Sequence, residues 1–395
     1  MGSAPPIEID AGGKPPPGMS VQGFLRDYWQ KRPLLIRNAF AGLVTPLSPE
    51  DLAGLACEEG ALSRLIRHHR RRDRWSVRHG PFAETDFPGL PKKDWTLLVQ
   101  DVDKWDPDVR ALLAHFDFLP RWRIDDVMVS FAAPGGSVGA HVDQYDVFLL
   151  QAQGTRRWQI DARPNPPTAF RDDVELKLLR EFRPSHDWLL APGDMLYLPP
   201  GVPHHGVAMD ACLTLSVGMR APSAGELVGD LADHLLESLP DSLRYADPDL
   251  ALPADDAEID AAALARVRAL LDATLALDDD QLGDWLGGFL TRYRNQGDDL
   301  APPRAPSPAT VAARLAAGAM LHPHPFARFA WRREGRAARL FVQGRSWPLP
   351  LSAARRLCRR DALGDKDYTR LHAVAGPTLD ALVAAGFLVL SRPSR

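Results

Sequence analysis

The sequence predicts an α+β protein: a barrel of short antiparallel strands, then an all-α region, then a compact winged-helix arrangement. Three observations carry the prediction. Between Ile124 and Val217, short β-branched or aromatic runs alternate with Gly and Pro turns, as in an antiparallel barrel. After Ala221-Pro222-Ser223 the pattern changes to Leu and Ala at helical spacing. The segment 301–309, APPRAPSPA, is the most linker-like in the chain, and a mixed pattern follows it. The expected domains are therefore 1–222, 223–300 and 301–395, a division that fits a chain of 395 residues at the usual domain size.

Each element has its own signal. The opening twenty residues are rich in Pro and Gly and are expected to form a disordered or loosely laid arm. Phe24, Leu25, Tyr28 and Trp29 recur at helical spacing, and Arg32-Pro33-Leu34-Leu35-Ile36-Arg37 then becomes strand-like. Ser48-Pro49-Glu50-Asp51 starts a helix over 47–57, with Pro in the first turn and acids near the positive end of its dipole. Asp94 to Val102 reads as a strand. The clearest barrel strands are Val127 to Phe131, His141 to Gln151, Thr155 to Ile160, Met195 to Leu198 and Cys212 to Gly218. Helices are expected at Gly225 to Leu239, Asp256 to Leu275 and Asp279 to Arg294. Beyond the linker, a strand pair around the Gln343-Gly344-Arg345 turn, helices at Ser352 to Cys358 and Pro377 to Ala385, and a strand Gly386 to Ser391 complete the winged-helix pattern. Trp122, Trp158 and Trp188 are expected to fill the core.

Composition excludes several classes. Hydrophobic residues at 45% and charged residues at 25% are ordinary for a globular protein. No run of eighteen apolar residues is present, and the start lacks the basic-then-apolar order of a secretory signal, so a cytoplasmic location is expected. Three cysteines without a CxxC pair offer neither a disulfide framework nor a zinc ribbon. The net charge of −4 is uneven: residues 1–222 hold 28 acids and 26 bases, 223–300 hold 18 and 5, and 301–395 hold 5 and 16. An acidic middle beside a basic end marks separate domains, a partner-binding surface, or two solvated faces that attract each other.

The chemistry lies in two motifs. In Gly135-Gly136-Ser137-Val138-Gly139-Ala140-His141-Val142-Asp143, two metal-ligating residue types stand two apart at the start of an apolar run. On a strand, His141 and Asp143 would face the same way, roughly 7 Å apart along the backbone, and both could reach one ion. Alone, such a pair is more often solvated. The second motif, Gly193-Asp194-Met195-Leu196-Tyr197-Leu198-Pro199-Pro200-Gly201-Val202-Pro203-His204, joins a turn, a buried strand and a rigid Pro-Gly corner that presents one imidazole. His204 is the expected third ligand, and its neighbour His205 should face the other way. Two His and a carboxylate leave coordination positions open, which suits non-haem Fe(II). Catalytic zinc also takes three protein ligands, so the ion stays open on this ground.

These residues resemble a known family. The HxD pair, the Gly154-Thr155-Arg156-Arg157-Trp158 turn and the PPGVPH segment are similar to the JmjC subgroup of 2-oxoglutarate oxygenases, a cupin-type double-stranded β-helix. Tyr28-Trp29-Gln30-Lys31-Arg32-Pro33-Leu34, Trp95 to Gln100 and Asp143-Gln144-Tyr145-Asp146-Val147-Phe148 resemble the bacterial ribosomal oxygenases, over nearly the whole chain. The resemblance implies a homodimer through the helical region, Fe(II) on His141, Asp143 and His204, and 2-oxoglutarate and dioxygen as cosubstrates. It implies hydroxylation of an arginine at its β-carbon in large-subunit ribosomal protein number sixteen. It also implies that Arg156 binds the far carboxylate of 2-oxoglutarate, a task suited to a bidentate guanidinium, with Ser130 and Thr214 as further contacts. Arg157 should face outward. Tyr145 and Asp146 are plausible at a substrate rim but are more simply structural.

Other readings use the same residues. A JmjC oxygenase with another protein substrate, lysine demethylation included, would keep the triad and cosubstrate. The absence of a zinc-ligating cysteine cluster favours hydroxylation. The basic C-terminal region, with Arg355, Arg356, Arg359 and Arg360 on or near one helix, would also fit a winged-helix nucleic-acid binder with an inactive barrel.

Overall fold

The computed structural model describes residues 5–252, 255–292, 300–359 and 361–391, and the chain divides into two compact units, Met1–Ala221 and Pro222–Arg395. Unit one contains α1 (Val21–Asp27), α2 (Pro49–Leu55), α3 (Val102–Trp105), α4 (Pro107–Leu112) and twelve strands. The strands are β1 (Glu8–Asp10), β2 (Leu34–Arg37), β3 (Ser63–His69), β4 (Arg74–His79), β5 (Trp95–Val99), β6 (Ile124–Ala132), β7 (Val147–Gln153), β8 (Arg156–Ile160), β9 (His186–Leu190), β10 (Met195–Leu198), β11 (His204–Ala208) and β12 (Cys212–Met219). Nine of them form one sheet in the order β1-β2-β10-β7-β12-β6-β5-β3-β4, and three form a second in the order β11-β8-β9. All pairings are antiparallel except β1 with β2.

Residue alternation assigns the faces. Phe148 and Leu150 of β7, Met195 and Tyr197 of β10, and Leu213, Leu215 and Val217 of β12 join one core that also includes Phe24, Leu52, Val109 and Phe116 from the helical layer. The intervening residues Val147, Leu149, Leu196 and Leu198 join Trp158, Ile160 and Leu190 of the small sheet in a second core, inside the barrel. Further along the same inward rows the residues become polar: Gln151, Ser130 and Thr214 are buried and adjacent in register. An interior apolar at one end and hydrogen-bonding at the other is built from strict period-two alternation.

The helix start expected at Ser48-Pro49-Glu50-Asp51 is the start of α2, where Ser48 and Asp51 also form a capping box. The opening arm is a correction: Glu8–Asp10 pairs in parallel with β2, and Tyr28 donates to the carbonyl of Pro6 at 2.7 Å. Only its first four residues lie outside the described ones. The strand expected from His141 begins instead at Val147. The chain bends at Gln144–Tyr145, and Asp146 then turns toward the core shared with the helical layer, where it accepts hydrogen bonds from Tyr197, Gln30 and Arg123. Trp122 is 42% exposed rather than core, whereas Trp158 is buried.

Unit two begins with α5 (Ala224–Leu236), α6 (Ala261–Leu275) and α7 (Asp279–Thr291). It continues through α8 (Pro308–Ala316), β13 (Leu321–Pro323), β14 (Phe329–Glu334), β15 (Ala337–Val342), β16 (Arg345–Pro350), α9 (Leu351–Leu357), α10 (Asp365–Ala384) and β17 (Leu388–Leu390). β14, β15 and β16 form a sheet, and β13 pairs with β17. The turn after β15 places Gln343 and Gly344 in the left-handed region, at φ 48° and 78°, as the hairpin reading requires. α10 is two helical segments joined across a kink at Ala375, which has non-helical angles, and Pro377 stands in the first turn of the second segment, as the expected helix from Pro377 to Ala385 requires. Acidic α7 meets basic strands here: Arg332 pairs with Asp280 at 2.6 Å, and Arg339 with Asp284 at 3.1 Å. Among the C-terminal arginines, Arg356 is held by Asp367 at 2.6 Å and Arg355 lies over the Trp331 ring, while Arg360 is outside the described residues.

Candidate metal centre

His141 and His204 form an isolated antiparallel bridge, each backbone N–H donating to the other's carbonyl at 3.0 and 2.9 Å. The bridge sets the two imidazoles side by side, with ring centroids 4.1 Å apart and planes inclined at 60°. Nδ1–H of His141 points to the carbonyl of Gly139 and that of His204 to the carbonyl of Val202, both at 2.9 Å. These bonds fix the tautomer and leave both Nε2 lone pairs free. Asp143 sits in the segment between His141 and the bend, where its carbonyl accepts from Gly201 N–H at 2.8 Å. Its Oδ2 lies 3.6 Å from Nε2 of His204 and 4.0 Å from Nε2 of His141. The three donor atoms lie within 4.8 Å of one another. The strand alternation invoked for HxD is not the mechanism; a bridge and a bend achieve the convergence.

Electrostatics suit a cation. Burial, then the neighbouring His141, pushes the His204 imidazole down to about 4, so the ring is neutral near pH 7. Two imidazoles with free Nε2 atoms and one carboxylate are the donor chemistry of a divalent iron site.

Arg156 provides the second half. It is 3% exposed, on β8, and no carboxylate among the described residues touches it. Its Nη1 lies 3.4 Å from Thr214 Oγ1 and its Nη2 3.3 Å from the Gly206 carbonyl, while Nε is buried without a partner. The guanidinium lies over the Trp158 ring, 5.0 Å from its centroid. A buried, uncompensated cation costs several kcal/mol unless an anion joins it. That orphaned donor set fits the carboxylate of a dicarboxylic acid entering the barrel.

The comparisons with known proteins agree with this chemistry. The JmjC domain profile matches residues 111–227, and the ROXA-like winged helix profile matches residues 269–389. The ribosomal protein uL16 3-hydroxylase of Escherichia coli is 39% identical over 290 residues, 72% of this chain and 74% of that protein. The chain belongs to the JmjC-type ribosomal oxygenases. A probable ribosomal oxygenase of Haemophilus influenzae is 39% identical over 244 residues, 62% of this chain and 60% of that protein. The X-ray structure of E. coli YcfD is similar with a TM-score of 0.83 at 32% identity, covering 94% of this chain and 98% of its own. YcfD in complex with cobalt and 2-oxoglutarate is similar with a TM-score of 0.82 at 33% identity and the same coverage. The JmjC cupin barrel and the winged helix are thus the fold of this ribosomal oxygenase.

The remaining expected residues of the ribosomal oxygenase divide. Thr214 touches Arg156 and donates to Gln151 Oε1 at 3.1 Å. Ser130 is paired with Thr214 in register, and its hydroxyl donates to the Thr214 carbonyl at 3.5 Å rather than to Arg156. Arg157 faces outward to Asp187. His205 turns away from its neighbour and meets the edge of Phe182. Two residues were not anticipated. Gln151 anchors Thr214, and Gly206 makes room for the guanidinium, since a Cβ there would lie 2.7 Å from both Arg156 Nε and the Trp158 ring. The run GVPHHG holds that glycine in plain view, but nothing local says it faces an arginine.

Proposed function

We propose that this ribosomal oxygenase binds Fe(II) through His141, Asp143 and His204, binds 2-oxoglutarate through Arg156 with Thr214 and Ser130 nearby, and hydroxylates the β-carbon of an arginine in large-subunit ribosomal protein number sixteen. The observation that best supports this is a buried guanidinium without a carboxylate, in the same barrel interior as two imidazoles and a carboxylate. When bound, iron and cosubstrates supply the oxidising chemistry, with one oxygen passing to the substrate and 2-oxoglutarate becoming succinate and carbon dioxide. The chain's own residues do the positioning. Gly139 and Val202 hold both imidazoles in the ligating tautomer. Arg156 orients the dicarboxylate, and Trp158, Ile160 and Leu190 wall the interior against water. The relative's activity on uL16, as its name states, supports the choice of substrate.

The proposal extends to a three-part division of labour and a homodimer. Residues 1–222 would carry catalysis, 223–300 a homodimer contact and 301–395 the winged helix. On α6, Leu264, Val267, Leu271 and Leu275 are 58%, 43%, 56% and 56% exposed, and no residue of the helix is buried. Leucines and valine at helical spacing without cover suit a second copy of the chain. No helix among the described residues is long and apolar enough to cross a membrane, which accords with a cytoplasmic enzyme.

The test is incubation of iron-loaded protein with 2-oxoglutarate and a peptide from the organism's own ribosomal protein number sixteen. Succinate and a peptide mass gain of one oxygen on arginine, both lost in His141→Ala, are expected. Succinate without mass gain would discard the substrate and keep the oxygenase. Neither product, despite bound iron, would discard both.

A further inference from the structure

In a chain of net charge −4, residues 64–79 hold seven arginines, three histidines and a single acid, Asp73. The structure folds this run into one hairpin: β3 and β4 pair from Arg64 opposite His79 to His69 opposite Arg74. Arg70–Arg72 form a single 3-10 turn at the tip, and Asp73 closes it at φ 43°. Residues 69–74 are all exposed.

The acids within reach are already occupied. Asp73 accepts from His68 at 3.0 Å and from Arg171 at 2.7 Å. Asp94 holds Arg70 at 2.9 Å, Asp86 holds Arg78 at 2.7 Å, and Glu175 holds His79 at 2.7 Å. Arg67, Arg71, Arg72 and Arg74 are left with no carboxylate partner among the described residues. The hairpin that carries them is braced rather than loose. His68 and Trp75 stack at 3.9 Å with their planes 9° apart, and Arg70 donates to the Gly135 carbonyl at 2.8 Å, at the start of the loop that leads to His141. A cavity of about 340 Å³ is lined both by the hairpin, through His68, Arg70 and Trp75, and by Gly139, Ala140 and His205 beside the metal centre.

We propose that Arg71, Arg72 and Arg74, with Arg67 behind them, form a docking surface for the phosphate backbone of single-stranded RNA beside the catalytic mouth. Consecutive arginines on a 3-10 turn fan out around its axis, so they cannot converge on one carboxylate but can meet successive anions of a chain. The permanently charged, forked guanidinium is suited to phosphate oxygens. An acidic protein segment fits less well, because stable protein contacts centre on buried apolar anchors and the tip offers none. Phosphate neutralisation needs no such anchor. This surface is independent of which protein the barrel hydroxylates.

The experiment uses the full-length, iron-loaded chain and a fluorescently labelled, unstructured RNA of about twenty nucleotides, with anisotropy read across a salt series. Binding should weaken linearly in log affinity against log salt. Arg71→Glu/Arg72→Glu/Arg74→Glu should weaken it at least about thirty-fold and reduce the magnitude of the slope by about 2, the value for three lost phosphate contacts on a single strand. Succinate formation from 2-oxoglutarate should be unchanged, because none of the three touches the barrel interior. The neutral set Arg71→Gln/Arg72→Gln/Arg74→Gln replaces the reversal if that variant melts early. Unaltered RNA affinity in a folded variant overturns the proposal. So does equal loss in Arg355→Glu/Arg359→Glu, which would move binding to the C-terminal unit, or displacement of RNA by polyglutamate at matched charge concentration, which would favour an acidic protein.

Discussion

His204 Nε2 stands 3.6 Å from Asp143 Oδ2, although four strands of the barrel intervene between the two residues in the chain. The imidazole is neutral near pH 7 and its Nδ1–H is engaged, so the carboxylate faces a lone pair rather than a proton. Such a pair is stable when a cation lies between them.

Removing one ligand should therefore remove the ion. His204→Ala and Asp143→Ala are expected to lose stoichiometric Co(II) binding, followed by visible absorption, and to lower turnover more than about a hundred-fold, beyond the loss typical of outer-shell changes. Chelation of the wild type should give the same loss, restored by Fe(II) and not by Zn(II). Restoration by Zn(II) would contradict the iron assignment.

Arg156 leads to an expectation with two opposite signs. Arg156→Met removes a buried cation that has no partner until the cosubstrate binds, so the variant should melt higher than the wild type when no 2-oxoglutarate is present. It should also lose the cosubstrate-induced rise in Tm, and its apparent affinity for 2-oxoglutarate should fall about a hundred-fold, the scale of one or two charged hydrogen bonds. A variant that melts lower and still responds to 2-oxoglutarate would assign the arginine a purely structural role.

The metal residues were legible because HxD and PxGxxH are compact patterns whose residue types have few other uses together. Their geometry was less so. Alternation predicted a strand at His141, but the chain bends at Gln144–Tyr145, ahead of the buried and triply bonded Asp146, as only the fold reveals. Thr214 and Ser130 followed from the family resemblance alone, whereas Gln151 and Gly206 act through neighbours distant in sequence. The β3–β4 hairpin escaped notice because arginines occupy both of its faces, which erases the apolar period that marks a strand. The linker reading at 301–309 ends inside α8, where Pro308 takes the first helical turn and Ser307 caps it.

Asp146 offers a test of the segment after the bend. Its carboxylate is fully buried and accepts from Tyr197 Oη at 2.7 Å, Gln30 Nε2 at 2.9 Å and Arg123 Nη2 at 3.0 Å. Asp146→Ala strands a largely buried guanidinium and a buried phenol, and should cost about 3–5 kcal/mol. Calorimetry of the barrel transition would register this. A loss under about 1 kcal/mol would mean that water replaces the carboxylate.

Asp126 predicts the pH dependence of the barrel's stability. Burial first, then the nearby Asp101, raises its carboxyl from 3.8 to about 7, although it accepts the Asp101 N–H at 3.0 Å. Between about pH 4 and pH 7 the folded chain thus holds a proton that the unfolded chain has released, so stability from this group is full below the unfolded value and falls as pH rises through the folded one. Asp126→Asn keeps an acceptor for the Asp101 N–H and cannot ionise. Its stability relative to the wild type should therefore climb from pH 4 to pH 7 and level off above that. Unfolding midpoints of the barrel transition at pH 4, 5, 6, 7 and 8 would trace the difference. Parallel curves would mean that Asp126 ionises in the fold as readily as in water, which would require the acidic residues around it to be screened by solvent.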